Sequence, residues 1–184
     1  EMLPICSAFI EPGPPSEDAI ELSRVSDRGI RESGMIDLSQ LVIREGEDVF
    51  AVFIDIAVIN EDGNLFDACS YAIAAALHGA TMPTFKIEKD KVVTLEKLKP
   101  LPILSLPIST TFVKIGDKIL LDPDAEEQTI CEARLTLVTD DKGNFVSAQK
   151  GKAGGFSFKE FNEMVSMSKN KGEEIRKKII KNGK

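Results

Sequence analysis

From Ala19 onward, Ala19, Leu22, Val25, Ser26 and Gly29 recur at three- and four-residue spacing, which places them on one face of a helix. Ser16 stands where an N-cap belongs, and Glu17 and Asp18 suit the positive end of the helix dipole, so the pattern predicts a helix to about Glu32. The preceding Glu11-Pro12-Gly13-Pro14-Pro15 forbids helix and makes a rigid loop. Val49 to Ile59 is almost continuously apolar and β-branched, broken by Asp55; it reads as a central strand buried on both faces. Asp62-Gly63-Asn64 makes a turn. Asn64 is placed to cap a second helix running to about His78, with Asp67 three residues on in a capping-box-like place. Ala68, Ala72, Ala74, Ala75 and Ala76 put small residues on nearly all sides of that helix, which predicts close packing in the interior. Gly79 stops it.

After Pro83 the period shortens to that of strands. Phe85–Ile87 and Val92–Thr94 flank Lys89-Asp90-Lys91, Ile108–Ile115 and Lys118–Leu121 flank Gly116-Asp117, and Ile130–Thr139 and Phe145–Gln149 flank Asp141-Lys142-Gly143-Asn144. These are hairpin signals. Ser157-Phe158-Lys159-Glu160 is a capping box that opens a last helix, with Phe161, Met164, Val165 and Ser168 inward. Its end, Lys169 to Lys184, carries seven basic residues and two acids and reads as a solvated helix end. Strands and helices in two similar batches make the class α+β. The 184 residues form a single domain, 1–184, with 157–184 as its C-terminal helix. Leu3 to Phe9 reads as a strand with no polar lead-in before it, so the start of the domain is expected to be missing. An open sheet edge left by that loss is a template for another chain.

Composition narrows the function classes. Three widely spaced cysteines, Cys6, Cys69 and Cys131, without a C-x-x-C, read as reduced buried thiols of a cytoplasmic protein, not as a disulfide or zinc framework. A single histidine, His78, excludes His-rich metal sites, argues against a Ser–His–Asp triad, and suits a helix end. No apolar run approaches the ~20 residues of a membrane span. A net charge of −7 argues against a protein coated in basic charge for nucleic acid, though not against a local basic stripe.

Such a stripe is present. Arg24, Arg28 and Arg31 stand at i, i+4 and i+7, opposite the apolar face of their helix. Three guanidiniums in line fit a phosphate backbone. They equally fit a solvated face laced by salt bridges, because Glu17, Glu21 and Asp27 are in reach and Asp27–Arg31 is an i, i+4 pair. The turn at Asp62-Gly63 leading into Asn64 has the form of an anion site at a helix start. Leu65 and Phe66, which should complete such a site, have no side-chain donors and suit an apolar anchor. Asp55 in an apolar strand is costly without a partner, and nothing near it in sequence supplies one. Between Asp122 and Leu137 lie five acids, Asp122, Asp124, Glu126, Glu127 and Glu132, a density that suggests a metal cage or a general-acid site. Gln128 and Arg134 sit among them and suit neither. The glutamates are expected to point to different sides of a short turn, and no EF-hand spacing is present. No metal and no cofactor are implied.

Leu3-Pro4 through E-P-G-P-P-S-E-D-A-I-E-L-S-R-V-S-D-R-G-I-R-E-S, ending at Ser33, resembles the RNase PH family. Within that family it is similar to the catalytically silent ring subunit of archaeal exosomes. The resemblance continues through V-F-I-D-I-A-V-I-N-E-D-G-N, the acidic stretch and the final helix. It implies an RNase PH-like fold (ribosomal protein S5 domain 2-like) lacking its first N-terminal strands. It also implies a ring closed by six such domains, in which silent and active subunits alternate, with single-stranded RNA in the channel and RNA-binding cap subunits. Active members read D-G-G-T-R, or a Gly-Ser-Ser variant, before the second helix, and hold phosphate there. The matching positions here are Gly63, Asn64, Leu65 and Phe66. Active members also carry E-E-D and, six residues later, the aspartate of E-A-D; here these aspartates are Gln128 and Arg134. A neutral amide cannot deliver a proton to a leaving oxygen as an acid does, and a fixed cation stands where the second acid stood. On this resemblance Arg24 and Arg28, extended by Arg31, contact RNA phosphates. The expected function is a non-catalytic, RNA-binding ring subunit that supports 3′-to-5′ RNA degradation by an active partner. The alternatives are an active phosphate-dependent 3′-to-5′ exoribonuclease and a free-standing RNA-binding protein.

Overall fold

The computed structural model describes residues 13–89 and 91–182. The strand expected over Leu3 to Phe9, Cys6, Glu11 and Pro12 of the proline loop, and Asp90 of the first hairpin turn lie outside the described residues.

Helix α1 (Glu17–Glu32) begins as its sequence dictates: the Ser16 hydroxyl accepts from the Ala19 amide at 3.2 Å. It buries Leu22, Val25 and Gly29, while Ala19 and Ser26 are half-buried. A short 3-10 turn (Leu38–Leu41) leads into the small pair β1 (Val42–Arg44) and β2 (Asp48–Val49). Helix α2 (Leu65–Gly79) buries Phe66, Cys69, Ile73, Ala74 and Leu77, with His78 in its last turn. Its alanines do not make it an interior helix. Ala74 is 1% exposed, but Ala68, Ala72, Ala75 and Ala76 lie on the surface. Small side chains permit close approach but supply little apolar area to demand it.

The expected hairpins form. β3 (Thr81–Glu88) and β4 (Lys91–Pro100) make a separate two-stranded sheet. β5 (Ile108–Ile115), β6 (Lys118–Leu121), β7 (Ala133–Thr139) and β8 (Phe145–Gly151) form one antiparallel sheet in the order β6-β5-β7-β8. Strand alternation sorts this sheet into two faces. Phe112, Leu135 and Leu137 pack with Met164 of α4 (Phe158–Asn182), and Thr110 bonds Ser168 of that helix at 2.6 Å. The opposite face carries Thr111 and Thr136 toward α2 and Arg134 toward α1. α4 is opened by its capping box: the Ser157 amide donates to Glu160 at 2.6 Å, and the Glu160 amide to the Ser157 hydroxyl at 3.3 Å. Met164 and Ser168 face inward as expected, but Phe161 is 40% exposed.

Three expectations are corrected. The run from Val49 to Ile59 is not a strand buried on both faces. β2 ends at Val49, and among the described residues no strand of the four-stranded sheet lies beside 50–59. Phe50, Val52 and Ile56 pack on the core around Met35 and Ile73, whereas Phe53 is 86% and Ile59 75% exposed. A β-branched run is buried on both faces only when elements cover both, and the run cannot specify those elements itself. Asp55 is accordingly exposed and carries no burial penalty. Ile130 ends a short helix, α3 (Ala125–Ile130), so β7 begins only at Ala133. Arg176 is buried, not solvated: it donates to the Thr139 carbonyl at 2.9 Å and to its hydroxyl at 3.3 Å. Gly172 makes room for this contact, since a Cβ there would stand 2.5 Å from the Thr139 hydroxyl.

Candidate functional site

The turn before α2 is closed, not open. Gly63 has φ +88, and a Cβ on it would lie 2.4 Å from the Gln128 Nε2, 2.5 Å from the Asp124 carbonyl carbon and 2.7 Å from the Ala125 nitrogen. Only glycine fits this conformation against the start of α3. Asn64 is left-handed (φ 48, ψ 44) and does not cap α2 with its side chain. Its Nδ2 instead donates to Asp67 Oδ2 at 2.9 Å and to Asp122 Oδ1 at 2.6 Å. Leu65 and Phe66 pack with Leu22, Val25 and Cys69 and anchor the helix start to α1.

Asp67, read from sequence as a capping-box residue, is one of the most buried polar groups described. It accepts from the Thr111 amide and hydroxyl, both at 2.8 Å, and that hydroxyl meets Thr136 at 2.9 Å. Burial pushes its carboxyl up to about 6, against the lowering effect of the Asn64 and Thr111 hydrogen bonds. The signal for this network was an acid in an otherwise apolar and small helix, together with the Thr-Thr pair in β5. Nothing in the sequence tied one to the other across 44 residues.

The acidic stretch has structural duties. Asp124 is the N-cap of α3 and forms a reciprocal capping box with Glu127, at 2.8 and 3.0 Å. Asp122 receives Asn64, and Glu132 accepts from the Gly116 amide at 3.2 Å. Among the described residues no group of three or more His, Cys, Asp or Glu side chains could hold a metal ion. Gln128 lies half-buried on α3 against Gly63.

Arg134 on β7 is the centre of a second network. Its Nη2 donates to both carboxylate oxygens of Glu21 on α1, at 2.7 and 2.8 Å, and its guanidinium carbon lies 4.4 Å from the Phe66 ring centroid. Its cross-strand neighbour is Gly151, where a Cβ would stand 2.7 Å from Nη2, so β8 is shaped to let the guanidinium lie across it. Gln149 donates from Nε2 to Glu21 at 3.0 Å and accepts on Oε1 from Arg28 at 3.3 Å. Of the four positions that the resemblance sets against the active pattern (Leu65, Phe66, Gln128 and Arg134), Phe66 and Arg134 are in contact. Leu65 and Gln128 sit on the neighbouring helix starts. Sequence reasoning missed Glu21 as the partner of Arg134, 113 residues away, and Gln149 as a partner of Glu21, 128 residues away; no local pattern links them.

All three arginines of the α1 stripe are exposed. Arg31 pairs with Asp27 at 2.8 Å, as the i, i+4 spacing suggested. Glu21, expected among the partners of the stripe, is turned to Arg134 instead. Among the described residues the Arg24 side chain makes no hydrogen bond or ion pair. Arg24, Asp55 and Asp27 rim a 490 Å³ cavity between α1, residues 52–58 and α2.

This architecture, an antiparallel sheet covered by α4 on one face and by α1 and α2 on the other, is an RNase PH-like fold of mixed α and β content. Profile comparison matches residues 1–83 to the 3′ exoribonuclease family, domain 1, and residues 105–171 to domain 2 of the same family. The exosome complex component Rrp42 of Thermococcus kodakarensis is 44% identical over 183 residues, covering 98% of this chain and 67% of the relative. The component of the same name from Pyrococcus furiosus is 45% identical over 182 residues, covering 98% and 66%. A chain of the Archaeoglobus fulgidus exosome with RNA bound to the active site superposes with a TM-score of 0.87 at 43% identity, over 97% of this chain and 68% of that one. Rice Rrp46, at 13% identity and a TM-score of 0.64 over 93% and 68%, shares the fold. The chain belongs to the 3′ exoribonuclease family, and spans about two thirds of the length of these relatives.

Proposed function

We infer that this chain is a non-catalytic, RNA-contacting subunit of an exosome ring. Its partners on this reading are an active RNase PH-type subunit, RNA-binding cap subunits and single-stranded RNA. The observation that carries the reading is the Arg134–Glu21 ion pair stacked on Phe66. Phosphorolysis needs an acid beside the departing 3′-oxygen and donors around the phosphate. At the matching positions this chain has a cation already neutralised by Glu21, a buried phenyl ring, Leu65, and the amide of Gln128. The high similarity to archaeal exosome chains supports the ring assembly. The exposed stripe of Arg24 and Arg28, with Arg31 in a lesser role because Asp27 holds it, supports contact with RNA phosphates.

The test is incubation of labelled single-stranded RNA with inorganic phosphate. The chain alone is expected to release no nucleoside diphosphates, whereas a defined complex with an active-type subunit shortens the RNA. Phosphate-dependent shortening by the chain free of any partner would establish the active-enzyme reading instead.

A further inference from the structure

Contact between Arg24 and RNA meets an electrostatic obstacle on α1 itself. Glu21 precedes Arg24 by three residues, and side chains three apart meet on a helix surface. A free carboxylate there would neutralise the arginine that RNA needs. Glu21 is not free. Both its oxygens are taken by the Arg134 Nη2, at 2.7 and 2.8 Å, and Oε1 also accepts from Gln149 at 3.0 Å. The other acid close to Arg24 on the helix, Asp27, is held by Arg31 at 2.8 Å. Arg24 is left without an ion pair among the described residues. Gln149, with its amide nitrogen committed to Glu21, presents its oxygen to Arg28 at 3.3 Å. Arg134 is itself held in place, because its guanidinium lies over Phe66 and Gly151 leaves room for it. A guanidinium keeps its charge at any accessible pH and grips a carboxylate in a fixed geometry.

We propose that Arg134 is a positioning residue for RNA binding: it sequesters Glu21 so that Arg24 stays un-neutralised, and through Gln149 it holds Arg28 on the outer face of α1. The position that carries an acid in active family members thus serves, in this chain, the RNA grip of the neighbouring helix. The proposal rests on the RNA-contact reading above.

The experiment titrates a single-stranded oligouridylate into the assembled ring at several salt concentrations. Arg134→Met frees Glu21 to pair with Arg24. Affinity is expected to fall about two- to fivefold, the scale of one exposed ion pair. The log–log salt slope is expected to flatten by about 0.7, the value of one phosphate contact on a single strand. Adding Glu21→Gln removes the competing carboxylate, and affinity and slope return to those of the wild type. A merely structural role for Arg134 predicts that the double variant binds no better than the single one, and this result overturns the proposal, as does wild-type binding by Arg134→Met. Should Arg134→Met fail to assemble, Gln149→Met cuts the link from Glu21 to Arg28 while leaving the ion pair. Weaker binding at unchanged thermal stability is then expected, and wild-type affinity overturns the proposal. Arg24→Ala with Arg28→Ala separates the two levels. If it binds RNA as the wild type does, the RNA-contact reading falls; if it weakens binding and Arg134→Met does not, only the positioning role falls.

Discussion

Arg134 and Glu21 lie 113 residues apart in sequence, yet one guanidinium nitrogen holds both oxygens of the carboxylate within 2.8 Å. The pair joins β7 to α1 and is mostly shielded from solvent, with the side chains 14% and 30% exposed. Replacing Arg134 by Ala leaves a half-buried carboxylate and strips the Phe66 face. It is expected to lower stability by about 1–3 kcal/mol, the scale of hydrogen bonds to charged groups. Chemical denaturation of the two proteins measures this; a difference under a few tenths of a kcal/mol would mean that the pair contributes nothing net.

Gly63→Ala is expected to be more damaging than an ordinary turn substitution. The residue sits at φ +88, and its Cβ would meet Gln128 and the α3 backbone at 2.4–2.7 Å. Left-handed strain and the forced retreat of a helix start add, for a loss of about 2 kcal/mol or more. A thermal midpoint within a degree of the wild type would show that α3 can move away freely.

Asp67 gives a pH signature. Its carboxyl is pushed up to about 6 from 3.8, mainly by burial. Between about pH 4 and 6 the folded chain therefore holds a proton that the unfolded chain has lost. This residue makes stability fall as pH rises through that window and leaves it level above about 6. Carboxyl-carbon NMR is expected to show a midpoint near 6. In Thr111→Val, which removes a donor to the ionised form, the midpoint moves higher. A midpoint near 4 would show that the network is open to water.

Much of the fold was legible because it is local. Ser16 and the Ser157–Glu160 box mark two helix starts, and the three hairpin turns lie beside their strands. The failures are where a residue's role depends on distant chain. The apolar run after Val49 could not reveal which of its sides would be covered, and the alanines of α2 could not reveal how little of that helix is interior. In the acidic stretch what the reading lacks is the local duty of two of the acids. Asp124 and Glu127 have the spacing of a capping box, a signal present in the sequence, but the density of charge drew attention to chemistry instead. At the candidate site the resemblance singles out Leu65, Phe66, Gln128 and Arg134 by residue type. Their contacts are not legible, since Glu21 reaches Arg134, and Gln149 reaches Glu21, only through tertiary packing.

Gln128→Asp alone is expected to create no phosphorolytic activity. On the proposed reading the acid would return to α3, but Leu65 and Phe66 would still occupy the positions matched to phosphate ligands, and Arg134 would remain paired with Glu21. Groups that act as a unit are not restored singly. Turnover by this variant above that of the parent chain, in the RNA-shortening assay, would show that the phosphate pocket is intact after all.

The claim that this chain holds RNA without cutting it is tested most directly by RNA titration of rings carrying Arg24→Ala and Arg28→Ala. Both side chains are exposed on α1, away from its buried face, so the fold is spared. Binding is expected to weaken equally for any RNA sequence, because phosphates carry no code. The log–log salt slope is expected to flatten by roughly 1 to 1.5, the sum for two contacts on a single strand, and RNA degradation by the active partner is expected to slow. Equal affinities and equal slopes for the wild-type and doubly substituted rings would contradict the account and leave the stripe as a solvated, salt-bridged helix face.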